Sequence, residues 1–312
     1  MAIPSSAHEW HIGLVGYGEV GRILAEDLRA QGLAVSAHDV KLADATLATP
    51  LHSHAAEHGV QLLASHAALA AASDLVISAV TASQTLAVAQ ACAPHMRAQA
   101  FYLDFNSASP GAKQAAALLI DAAGARYVEG AVMTSVPPYR SRVPLLLGGA
   151  FAAALAQPLG ALGFAPRVAS ERLGVASATK MCRSVMIKGL EAMVIESFTA
   201  ARHYGVEDAV IASLQETFPG IDWERQGSYF FQRVIEHGRR RSEEMQESAN
   251  TVREAGLPAF SAQGTAERQA WMADLADGGT FGARDAAGFA RSNDWRSEAD
   301  RLLQSLNARD RA

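Results

Sequence analysis

The chain predicts an α/β fold: a doubly wound parallel sheet, then an all-α C-terminal domain joined to it by a long interdomain helix. Three observations carry that expectation. Strand and helix signals alternate through the first half, the pattern of parallel strands connected by crossover helices. A glycine array stands at the first strand–helix turn. Residues 174–204 then contain no proline and read as helix throughout, and strand signals do not return after them. At 312 residues the chain is long enough for two domains with cores of their own. The boundary is placed near residue 170, giving a sheet domain over 1–170 and a helical domain over 171–312.

The first strand covers residues 10–15. Gly13-Leu-Val-Gly16-Tyr17-Gly18-Glu19-Val20-Gly21 follows, with a GxGxxG at its core. Val20, Ile23, Leu24 and Leu28 then recur at helical spacing. A second apolar strand, 33–38, is closed by Asp39, eighteen residues after Gly21. Strand, turn, helix, strand and acid in this order form the Rossmann-type dinucleotide fingerprint. Gly16 permits the tight turn, Gly18 lets the backbone approach a pyrophosphate, and Gly21 lets the helix pack on the strand. Free N–H groups at the helix start meet the phosphate charge. Asp39 accepts from ribose hydroxyls and repels a 2′-phosphate, which favours NAD. Lys41 and His38 nearby keep NADP possible.

Residues 44–59 read as loop and helix. They contain His52, His54 and His58, taken as a solvated helix face because no cysteine or acidic cluster accompanies them; no metal is expected. The strand at 74–80 ends in Val80-Thr81, where the chain crosses the cofactor's edge of the sheet. The strand at 100–105 ends in Asn106-Ser107, and Ser109 caps the next helix with Pro110 at its first position. Segments 126–133 and 143–149 make a strand pair around a polar loop, and 164–168 finishes the sheet. The helix at 174–204 spans about 45 Å if continuous. Further helices are expected at 206–217, 222–236, 239–255, 261–276 and 284–290.

Composition narrows the class. Hydrophobic residues make up 49% and charged residues 19%, and the net charge is −5. That balance suits a globular enzyme and argues against a nucleic-acid groove. Cys92 and Cys182 are the only cysteines and read as buried, reduced thiols. The N-terminus shows neither a basic nor an apolar export region. The uncharged stretches 75–96 and 143–166 are interrupted by hydroxyl residues, glycines and Pro158, so neither is read as a membrane span. A cytoplasmic protein with no nucleic-acid or membrane partner is expected.

Lys180 and Ser184 lie four apart on one helix face, Glu191 falls near that face, and Lys188 lies to one side. A lysine at the start of an interdomain helix can meet the nicotinamide end of a cofactor and serve as general acid or base. From spacing alone, a surface lysine is the better account.

The segment Gly174-Val-Ala-Ser-Ala-Thr-Lys180-Met-Cys-Arg183-Ser184 resembles the catalytic segment of the β-hydroxyacid dehydrogenase family, relatives of 6-phosphogluconate dehydrogenase. The glycine array is similar to that family's cofactor motif. Residues 127–149 resemble its substrate-loop strand pair, and residues 103–110 the strand before it. The resemblance implies hydride transfer between NAD(P) and the alcohol or carbonyl carbon of a small hydroxy acid, with Lys180 as general acid/base. Asn106 is a candidate for cofactor binding and for orienting the substrate, with Ser107, Met133, Thr134, Arg183 and Ser184 as further substrate contacts, and the resemblance implies a homodimer through the helical domain.

The chain departs from the family in three places. Ser184 replaces the family's asparagine. The loop reads Met133-Thr134-Ser135-Val136-Pro137-Pro138 where the family has a serine and two glycines. Glu243, preceded by His237 and Arg239–Arg240–Arg241, stands near a later family lysine. These departures resemble a divergent subgroup with an alternative C-terminal domain. An imine reductase, a sugar-acid dehydrogenase and a non-catalytic dinucleotide sensor are the rival readings. Arg140, Arg142, Arg183 and Arg239–Arg240–Arg241 are candidates to bind an anionic substrate, with solvated surface charge as the plainer account. Tyr229, Phe230 and Phe231 read as core of the helical domain.

Overall fold

Alternation along the strands gives the sheet two apolar faces. In β1 (His11–Val15), Ile12 and Leu14 enter one core and Val15 enters the other. The computed structural model describes residues 4–284, 289 and 294–309. After β1 come β2 (Ala34–His38), β3 (Gln61–Leu62), β4 (Leu75–Ser78), β5 (Phe101–Asp104), β6 (Arg126–Val132), β7 (Pro144–Gly148) and β8 (Ala165–Ser170). They form one sheet in the order β3-β2-β1-β4-β5-β6-β7-β8. Every neighbouring pair is parallel except β6 and β7, which run antiparallel. The two-residue β3 carries too few residues to show an alternation and went unread in the sequence.

Helices cover both faces. Leu24 and Leu28 of α1 (Glu19–Ala30), Leu51 and Ala55 of α2 (Ala45–His58) and, further along the chain, Leu155 and Leu159 pack with Ile12, Leu14, Ile77 and Leu103. On the other face, Leu69 of α3 (His66–Ala72), Val88 of α4 (Thr85–Cys92) and Ile120 of α5 (Pro110–Ala122) pack with Val76, Tyr102 and Tyr127. Leu155 and Leu159 belong to α6 (Ala152–Ala161). Ser109 accepts from Ala112 N at 3.3 Å, with Pro110 at the first position of α5 as its sequence predicts. The strand order reverses between β1 and β4. Ligands of doubly wound sheets bind at the carboxyl ends of the strands at such a point.

The remaining helices are α7 (Val175–Tyr204), α8 (Glu207–Thr217), α9 (Trp223–Glu254), α10 (Phe260–Asp277) and α11 (Trp295–Arg309). The chain divides into two compact units, Met1–Met181 and Cys182–Ala312, and the division falls within α7. Phe198, Phe231, Val234, Met272 and Trp295 centre the core of the second unit. The expected helices 222–236 and 239–255 are one continuous 32-residue helix. Gly238 does not interrupt it, because it is a packing contact: a Cβ there would lie 2.8 Å from Gln269 O on α10. α11 had no counterpart in the sequence reading, and the expected helix 284–290 lies mostly outside the described residues.

Two burial expectations are corrected. Cys182 is exposed, whereas Cys92 is buried in the sheet domain and burial pushes its thiol up to about 12. Tyr229 is 50% exposed, while Phe230 and Phe231 are core. Among the described residues no helix is long and apolar enough to cross a membrane.

Candidate active site at the carboxyl edge of the sheet

The glycine loop follows from what a side chain would strike. Gly16 sits at φ +89°, and a Cβ there would lie 2.4 Å from Ala79 O. A Cβ on Gly21 would lie 2.0 Å from Gly16 O, so the first turn of α1 closes on the loop only with glycine there. Around Gly18 nothing lies within 4 Å of the built Cβ, which leaves open space in front of the α1 N-terminus. Glu19 and Val20 form the first turn of that helix, whose cap residue Gly18 offers no side-chain acceptor. Exposed backbone N–H groups beside open space suit a phosphate.

Asp39 is nearly buried and anchors this loop. Its Oδ2 accepts from Tyr17 N at 2.8 Å and its Oδ1 from Lys41 N at 2.9 Å. Each oxygen retains a lone pair for a ribose hydroxyl. His38 is turned away from this position: its Nδ1 meets Leu63 O at 2.8 Å and its ring packs edge-on to His66. Of the two cations weighed as phosphate partners, exposed Lys41 is the one beside Asp39.

Asn106 staples the ends of β4 and β5. Its Oδ1 accepts from Val80 N at 2.8 Å, and its Nδ2 donates to Ser78 Oγ at 3.0 Å. The amide is 3% exposed, and these bonds make it a positioning group. Thr81 stays exposed, its hydroxyl 3.4 Å from Ser83 Oγ. Beneath them Asp104 gathers Lys113 Nζ at 2.7 Å, Tyr127 Oη at 2.7 Å and Asn106 N at 2.9 Å, all away from water. Burial and the Asp104 charge hold the Tyr127 phenol well above its usual range, so it remains a donor.

Glu129 fixes the next part of the site, and the sequence reading passed over it. Its carboxylate is fully buried. Oε1 accepts from Gly174 N at 2.8 Å and Ala176 N at 3.0 Å, and Oε2 accepts from Ser177 Oγ at 2.7 Å. A carboxylate at a helix start satisfies its unpaired N–H groups and complements its dipole. Gly148 makes room for it, since a Cβ there would lie 2.2 Å from Glu129 Oε1. One turn further along α7, Lys180 Nζ donates to Ser107 Oγ at 2.6 Å. The ammonium thus stands at the carboxyl end of β5.

The other candidates have surroundings of their own. Met133 N bonds Pro144 O, and Thr134 is exposed in the loop after β6. Arg140 is tied to α1, with Nε 2.7 Å from Asp27 and Nη2 2.7 Å from Glu26. In the second unit Ser184 is buried and Arg183 exposed. Arg239 pairs with Asp274 and Asp277, Arg240 with Glu244, and Arg241 with buried Glu191. Lys188 meets Glu244 at 2.5 Å; burial drives its pKa down and Glu244 only partly restores it. The arginine run is therefore paired with carboxylates of the chain itself, Arg240 with one four residues on and Arg239 and Arg241 with ones distant in sequence.

Comparison with known proteins agrees with this architecture. A family model described as the NAD binding domain of 6-phosphogluconate dehydrogenase matches residues 11–154. A domain of unknown function, DUF1932, matches residues 201–272. A conserved hypothetical protein from Sinorhizobium meliloti 1021 is 37% identical, with 94% of this chain and 96% of that chain covered and a TM-score of 0.73. A conserved protein of unknown function, described as structurally similar to 3-hydroxyacid dehydrogenases, is 28% identical over 85% of this chain and 97% of its own, with a TM-score of 0.65. The 3-hydroxyisobutyrate dehydrogenase of Mycobacterium tuberculosis is 16% identical, with 94% and 99% covered and a TM-score of 0.69, a likeness of fold.

Proposed function

The chain belongs to the 6-phosphogluconate dehydrogenase-like, β-hydroxyacid dehydrogenase family, in the group with a DUF1932 C-terminal domain, and from that premise we propose an NAD(P)-dependent oxidoreductase of small hydroxy acids or related alcohols. The observation that carries the reading is Lys180 Nζ at 2.6 Å from Ser107 Oγ, on the strand edge that also bears the glycine loop. Residues 16–21 and Asp39 would hold the dinucleotide, with Val80 and Thr81 along its edge. The open space at Gly18 fits its phosphates. When bound, the nicotinamide accepts or supplies the hydride.

Everything else falls to the chain's own groups. In oxidation the neutral Lys180 amine takes the hydroxyl proton as the hydride leaves the carbon and becomes the ammonium; in reduction the ammonium returns that proton to the oxygen. Ser107 orients the Lys180 nitrogen by accepting one of its N–H hydrogens. Asn106 keeps the β4 and β5 ends in register. Thr134, Met133, Arg183 and Ser184 complete our assignment of substrate contacts. Asp39 favours NAD, with Lys41 available to a 2′-phosphate. We place a homodimer interface on the helical region, where Met186, Met193 and Phe260 are 73%, 61% and 83% exposed; a monomeric mass by light scattering would count against it.

The test pairs binding with turnover. Fluorescence titration with NADH and NADPH is followed by a panel of hydroxy acids, aldonates and cyclic imines. Dinucleotide binding with turnover of a hydroxy acid is the expected result. Turnover confined to imines, or tight binding with no turnover at all, overturns the reading.

A further inference from the structure

His54 and His58 lie one turn apart on α2, and Glu26 of the neighbouring α1 faces them. One donor atom from each lies within 4.8 Å of the other two, and all three side chains are half-buried. His54 Nε2 is 3.0 Å from Glu26 Oε1, and the His54 and His58 rings pack with centroids 4.4 Å apart. The sequence reading took the histidines as a solvated face because no cysteine or acidic cluster accompanies them; Glu26 stands 28 residues before His54. We infer that Glu26, His54 and His58 form a binding site for one divalent transition-metal cation of the zinc class.

Two imidazoles and a carboxylate are donors that suit zinc. Ligand atoms around a tetrahedral zinc ion with bonds of about 2.0–2.1 Å stand about 3.3 Å apart. The present His54–Glu26 spacing is therefore close to what a shared ion requires. The cation takes the place of the hydrogen between Nε2 and Oε1, and modest rotation of His58 brings the third donor in. The fourth position opens to solvent.

The surrounding groups are those that support metal ligands. A ligating histidine donates its other N–H to a fixed acceptor, and a ligating carboxylate is held from behind. His54 Nδ1 already lies 2.8 Å from Tyr17 Oη. The Tyr17 hydroxyl oxygen can accept from that ring nitrogen. Arg140 Nη2 holds the other Glu26 oxygen, Oε2, at 2.7 Å. His58 is in the last turn of α2, where the helix dipole favours a cation. The Arg140 charge opposes the ion, and Asp27, its second partner, neutralises it.

Calorimetric titration of zinc chloride into the untagged, metal-free chain tests this, against His58→Gln and Glu26→Gln variants whose folding is checked by thermal melting. Cobalt(II) absorption gives a second readout of the ligand set. One zinc ion per chain is expected, with affinity about tenfold or more weaker in each variant and the cobalt spectrum altered. Absence of saturable zinc binding to the parent chain, or variants that bind zinc as tightly as the parent, overturns the site.

Discussion

Replacing Glu129 by glutamine tests how the start of α7 is held. The carboxylate accepts two backbone N–H groups on Oε1 and the Ser177 hydroxyl on Oε2, with Ser177 N at 3.4 Å. Glutamine keeps one amide oxygen for Gly174 and Ala176, and its NH2 then faces the Ser177 N–H. The two kept bonds lose their charge assistance, about 1 kcal/mol each. Loss of the negative charge at a helix start costs about another 1 kcal/mol. Relief from burying a charge offsets part of this. The net loss is about 2 kcal/mol, which lowers Tm by about 4–8 °C in a domain of this size. Glu129→Ala leaves the donors buried without acceptors and opens a void, so about 4 kcal/mol is expected. Differential scanning calorimetry measures both, and amide hydrogen exchange at residues 174–177 locates the effect. A Gln variant melting within about 1 °C of the parent, or an Ala variant no worse than Gln, refutes the reasoning.

Two further outcomes follow from the geometry. Gly21→Ala forces a Cβ onto Gly16 O, a backbone atom, so NADH affinity should fall about tenfold or more by fluorescence titration; unchanged affinity contradicts the loop's role. Glu26 gives a pH dependence: burial raises its carboxyl pKa, but hydrogen bonds from His54 and Arg140 outweigh that and hold it below 4.5. A depressed folded-state value makes the contribution complete above the unfolded value and lost as pH falls through the folded one. The Tm gap between the parent and Glu26→Gln should therefore be largest near neutral pH and close as the pH falls below 4.5 through the lowered folded-state value. A gap that widens in acid reverses the sign and contradicts the assignment.

How much of this was legible depends on distance along the chain. The glycine loop was readable because Gly16, Gly18 and Gly21 act within one turn, and Asp39 closes the adjacent strand. The 30-residue α7 was readable from an uninterrupted helical pattern. Glu129 was not, since its partners at Gly174, Ala176 and Ser177 lie 45 to 48 residues away. A lone acid inside the apolar run Tyr127-Val-Glu129-Gly-Ala-Val was the available signal, because a buried charge needs partners. Arg140, Arg239 and Arg241 looked like anion binders because their carboxylates sit on other helices, whereas the partner of Arg240, Glu244, is four residues on along α9. The break placed near Gly238 failed because the residue that weakens a helix also lets α10 approach it. Asn106 stands at the expected strand end, but only its contacts with Val80 and Ser78 show its amide holding the sheet.

The central claim is that Lys180 moves the proton in a hydride transfer. Single-turnover kinetics of the parent and Lys180→Met, with saturating dinucleotide and whichever hydroxy acid the panel identifies, test it most directly. Loss of a general acid/base is expected to slow the chemical step about 10²–10⁴-fold and remove its pH dependence, with dinucleotide affinity nearly unchanged. A Lys180→Met protein that reacts at the parent rate with the parent pH profile contradicts the account.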